Sequence, residues 1–85
     1  MSAALELQRR LNIIRKNREH GELAPIEETG VADEATRHAL RAFQHEFNRF
    51  AGMKILIERG QLDPATEEAI LWMLDLIEKK KEKAA

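Results

Sequence analysis

The chain has no cysteine, so neither a disulfide framework nor a thiolate metal site exists. Its one serine, Ser2, sits at the N-terminus, and no Gly-x-Ser-x-Gly elbow or phosphate-cradling glycine loop occurs. These gaps leave little basis for nucleophilic catalysis. No apolar run approaches the ~20 residues that span a bilayer, and the N-terminus lacks a basic segment followed by an apolar stretch. We therefore expect no membrane partner and no signal peptide. Net charge is also lacking: 14 Lys and Arg against 15 Asp and Glu give −1, which argues against holding nucleic acid by bulk electrostatics. A helix-turn-helix reading meets the same objection. Glycine and proline are scarce, four and two in 85 residues, so the breaks in the chain are few and easy to place.

What remains is 34% charged and 44% apolar residues, the balance of a packed helical domain. At this length there is room for one domain, residues 1–85, with 81–85 read as a frayed tail. A short pattern occurs twice. Gly30-x-x-Asp33-x-Ala35-Thr36-x-x-Ala39-Leu40 returns as Gly60-x-x-Asp63-x-Ala65-Thr66-x-x-Ala69-Ile70. Upstream of each copy stands a second shared piece, Leu7-Gln8-x-x-Leu11-Asn12 and Phe43-Gln44-x-x-Phe47-Asn48. The pattern predicts an all-α fold: a compact three-helix domain built from two helix–loop–helix repeats that share the central helix.

The first helix is expected over residues 2–17, capped by Ser2, with Leu7, Leu11 and Ile14 at i, i+4 and i+7, and Ala4 and Ile13 beside them. Its basic residues, Arg9, Arg10, Arg15, Lys16 and Arg18, suit the negative end of the helix dipole. Residues 18–32 read as a long loop pinned by Leu23 and Ile26. Asp33 caps the second helix, whose core stripe is Thr36, Leu40, Phe43, Phe47 and Phe50, and Gly52 stops it in the left-handed conformation. The segment Met53 to Arg59 reads as a lid over the core through Ile55, Leu56 and Ile57. Asp63 and Pro64 start the third helix, which buries Ile70, Met73, Leu74 and Ile77 and carries Trp72 and Leu76 alongside.

Leu7-Gln8-Arg9-Arg10-Leu11-Asn12, Ala39-Leu40-Arg41-Ala42-Phe43-Gln44 and Leu62-Asp63-Pro64-Ala65-Thr66 together resemble the bacterial peptidoglycan-binding domain, over roughly residues 5–77. That family is a small helical module often attached to cell-wall hydrolases and amidases. Where the family carries Asp-Gly ahead of each cap, this chain has Thr29-Gly30 and Arg59-Gly60. The resemblance implies non-catalytic binding of peptidoglycan, glycan strand or stem peptide, a fused or associated hydrolase as partner, no cofactor, and a place at the cell wall or periplasm.

At 100° per residue, Arg37, Arg41, Gln44 and Asn48 share one stripe of the second helix, spanning about 60° beside the phenylalanines. Arginine forks and side-chain amides suit the carboxylates, amides and hydroxyls that the resemblance puts in the ligand. These four are the expected ligand-binding residues. Solvation, with Glu34 pairing to Arg37 or His38, is the plain alternative. Gln8 and Gln44 also stand where they can bond loop backbone. No metal site is expected. His45-Glu46 lacks a second ligand four residues on, and His38 and His45 lie roughly 10 Å apart along the helix. Trp72 and Leu76 widen the apolar face of the third helix, so a protein–protein docking module is the rival function.

Overall fold

A computed structural model describes residues 2–84 as three helices with no strand. Helix α1 (Ala3–Lys16) begins where the Ser2 hydroxyl accepts the Leu5 N–H at 3.0 Å. It buries Leu7, Leu11 and Ile14, while Ile13 turns outward. Helix α2 (Glu34–Ala51) begins at Asp33, whose carboxylate accepts the Thr36 N–H at 2.9 Å. It stops at Gly52, whose φ of 74° turns the chain left-handed while its N–H returns to the Asn48 carbonyl at 3.0 Å. Helix α3 (Pro64–Ala84) starts as Asp63 accepts the Thr66 N–H at 2.7 Å, with Pro64 in the first turn, where its missing donor costs nothing. It continues through the lysine run to Ala84, past residue 81 where the sequence suggests fraying.

Helix α1 packs against both α2 and α3, whereas α2 and α3 approach each other less closely. One core results. Leu11, Leu40, Phe43, Leu56 and Ile70 form its centre, and Ile26, Phe47, Met73 and Leu74 close around it. Each fully buried Leu, Ile or Phe contributes about 1.5–3 kcal/mol by leaving water. Ile26 thus holds the 18–32 loop down as its apolar character implies.

Two core expectations need correction. Phe50 is 63% exposed, not buried. It lies one residue before the end of α2 and on the edge of the stripe, where its ring meets Trp72 (centroids 5.9 Å apart) instead of the core. The lid after α2 is narrower than expected: Leu56 is buried, but Ile55 and Ile57 are half exposed. The segment bends at Leu56, whose N–H and carbonyl both bond to Asn48, and of these three side chains that one alone enters the core.

Candidate functional site

The stripe of α2 that carries Arg37, Arg41, Gln44 and Asn48 is divided between two jobs. Its C-terminal half lies under the chain's own loop. Gln44 is fully buried and Asn48 nearly so. The Gln44 amide oxygen accepts the Gly60 N–H at 2.9 Å, and its Nε2 donates to the Gln61 carbonyl at 3.0 Å and the Thr66 hydroxyl at 3.1 Å. Asn48 holds the preceding stretch. Its oxygen accepts the Leu56 and Ile55 N–H groups at 2.8 and 2.9 Å, and its Nδ2 donates to the Leu56 carbonyl and the Glu58 carboxylate. The amide pair therefore does not extend the arginine line across the surface, as the helical wheel implied. A wheel gives direction, and the returning loop 53–62 covers that direction.

The N-terminal half remains open. Arg37 and Arg41 are exposed, and among the described residues neither has a hydrogen bond or ion pair with its side chain. Several other cations are engaged: Arg10 with Glu6, Arg18 with Glu46, Lys79 with Asp75, Lys80 with Glu19. The loop meets α2 between the two free arginines. Gly60 has φ +71°, and a Cβ built on it would stand 2.7 Å from the Arg37 carbonyl oxygen and 3.5 Å from the Arg41 Cβ. Only glycine allows this approach.

Electrostatics stiffen the loop. Hydrogen bonds from Asn48 first and His45 second hold the Glu58 carboxyl below its usual range, and the Lys54 charge adds to this. His45 Nδ1 stands 2.9 Å from Glu58. The Thr66 backbone and hydroxyl lower Asp63, helped by the Arg59 charge. Arg59 thus joins Arg37 and Arg41 around Gly60, a third cation that the stripe did not include.

The first loop is held by the same residue types. Gln8 accepts the Gly30 N–H at 2.9 Å and donates to the Val31 carbonyl and the Thr36 hydroxyl, both at 2.8 Å. Thr29 adds a hydroxyl at 3.2 Å. Asn12 brackets Ile26, accepting its N–H and donating to its carbonyl. Asn12 and Asn48 stand in the repeated sequence pieces, so their pairing was visible there. Glu28 and Glu58, their carboxylate neighbours, each stand two residues before the repeated glycine, Gly30 and Gly60, so the same spacing could have found them.

Among the described residues no three His, Cys, Asp or Glu side chains converge as metal ligands. Among the same residues no helix is long and apolar enough to cross a membrane. Trp72 is 48% exposed and touches Phe47 and Phe50 edgewise or tilted, away from the arginines. Chemically, the arginine face offers two exposed guanidinium forks to an anion.

A family model described as "Putative peptidoglycan binding domain" matches residues 2–70. No curated protein and no solved structure matches the chain.

Proposed function

The chain belongs to the peptidoglycan-binding domain family, and on that premise we propose that it holds peptidoglycan by its stem peptides, through Arg37 and Arg41. The observation that carries this reading is the pair of unpaired guanidinium groups flanking the Gly60 loop. Stem-peptide carboxylates are planar anions, which an arginine fork meets with two parallel hydrogen bonds. Gln44 and Asn48 serve the site as positioning residues, since they fix the loop against which the ligand lies. Arg59 contributes positive potential at the loop's shoulder. The role is recognition without catalysis. Its use is to bring an attached or associated enzyme, such as a cell-wall hydrolase, to its substrate.

Each charge-assisted contact is worth about 1.5–3 kcal/mol. Replacing both arginines, Arg37→Gln with Arg41→Gln, should weaken binding to purified sacculi at least tenfold, because 1.4 kcal/mol is a decade. The melting temperature should hardly move, since both side chains are exposed. Unchanged sedimentation with sacculi would place the ligand elsewhere. A large fall in melting temperature would make the arginines structural.

A further inference from the structure

On the far side of α2 lies a second feature, unconnected with the arginine face. A groove of about 590 Å³ opens where α2 and α3 diverge, closed at one end by the turn after α1. Its floor is Ile14, Phe43, Phe47, Met73, Leu76 and Ile77. At 100° per residue, Phe47, Phe43 and Phe50 sit about 100°, 140° and 160° around the helix from the midpoint between Arg37 and Arg41. The α3 wall, from Met73 to Lys80, lies beyond residue 70, where the family match ends. Peptidoglycan recognition at the arginines leaves the groove unused.

The geometry points to an acidic amphipathic helix of a partner protein as the occupant of this groove. Shape comes first. The two walls are helices that present apolar side chains over about two turns, roughly 10 Å, the length that residues at i, i+3 or i+4, and i+7 of a docked helix cover. Phe50, 63% accessible, lines the groove's edge, and Trp72, 48% accessible, continues the apolar surface past it. A small ligand in the groove would leave Trp72 in water, whereas a helix lying across the mouth covers it together with Phe50.

Charge then fixes the partner's sign. Of the rim charges, Glu46 is paired with Arg18 at 2.6 Å, and Glu19 with Lys80. Arg49 lines the groove without an ion pair among the described residues. Past Lys80 the exposed α3 end adds Lys81 and Lys83 against the one acid Glu82. Both rim carboxylates are thus neutralised while cations remain over. A carboxylate flanking the partner's apolar face completes Arg49, and a lysine there is repelled.

Trp72, the sole tryptophan, reports on the groove through its contacts with Phe47 and Phe50. The probes are two synthetic capped 18-residue helices with leucines at i, i+3, i+4 and i+7. One is flanked by glutamates, the other by lysines. The glutamate helix should shift Trp72 emission and the amide resonances of residues 43–50 and 72–80, and bind at least fivefold more tightly. Arg49→Glu, an exposed change, should reverse that preference while leaving sacculus binding intact. Equal or tighter binding of the lysine helix overturns the proposal, as does the absence of any perturbation by either helix at about 1 mM. Resonance shifts confined to the arginine face overturn it too. Dimerisation in sedimentation equilibrium that Trp72→Ala abolishes would assign the groove to a second copy instead.

Discussion

Gln44 accepts the N–H of Gly60 at 2.9 Å from a position with no solvent contact. Gln8, equally buried, accepts that of Gly30 at the same distance. Each glutamine also donates to a loop carbonyl and to a threonine hydroxyl in the first turn of the next helix. One side chain thus ties helix, loop and helix together twice over. No buried side-chain polar atom among the described residues is left without a partner.

Gln44→Leu removes the acceptor for a buried glycine N–H and the donor to two oxygens. An unsatisfied buried polar group costs about 1–3 kcal/mol. The variant should lose about 2–4 kcal/mol, and Gln8→Leu a similar amount. Urea melts read both. A loss below about 1 kcal/mol at either site would mean that water replaces the amide.

The phenylalanines of α2 should separate sharply. Phe43 is 6% exposed, and Phe43→Ala should cost about 3–5 kcal/mol, a large share of the stability of so small a domain. Phe50→Ala, on the same expected stripe, should cost under about 1 kcal/mol because the ring is already mostly in water. Equal costs in denaturant melts would put Phe50 in the core.

That contrast shows which parts of the molecule the sequence carried. Helix starts are local: Ser2, Asp33 and Asp63 bond backbone three residues on, so the cap and its helix are written together. The exposure of Arg37 and Arg41 followed from their angle to the core stripe; their lack of an ion pair did not, because Glu34 offered Arg37 a partner at i+3. The burial of Gln44 and Asn48 did not, because it depends on loop 53–62 folding back over their side of α2. That segment has no periodicity to read, and the bonds that guide it are the ones these amides make. Phe50 was misplaced for a related reason. A helical wheel does not say where the neighbouring helices stop, and α2 and α3 have already diverged there.

The glycines give a graded test of the loop's approach to α2. Gly60→Ala combines left-handed strain of about 1–2 kcal/mol with a Cβ 2.7 Å from the Arg37 carbonyl. Backbone cannot yield as a side chain does, so overpacking adds about 1–3 kcal/mol. At Gly30 the nearest atom is the Ser2 hydroxyl at 3.3 Å, and at Gly52 nothing lies within 4 Å. Alanine should therefore cost most at 60, less at 30, and at 52 only the φ strain. Gly60→Ala should also weaken sacculus binding by moving the loop off the arginines. If the three costs come out equal, the close contact at Arg37 is not tight.

Acid should unfold the domain through its helix caps. The hydroxyl and backbone N–H of Thr36 hold the Asp33 carboxyl below its ordinary range, and the backbone N–H and hydroxyl of Thr66 do so for Asp63. Depressed carboxyls favour the fold when ionised. Their contribution is complete above the unfolded value of about 3.9, and it declines as pH falls from there through the lower folded values. Denaturant midpoints should thus be flat near neutrality and drop below about pH 4.5. Asparagine still caps a helix but does not titrate. Asp33→Asn with Asp63→Asn should give a slightly less stable protein at pH 7 and a shallower acid limb. Some slope must survive, because the Lys80 bond to Glu19 and the Asn48 bond to Glu58 depress those carboxyls as well. An acid limb as steep in the double variant as in the parent would show that the caps are not what acid breaks.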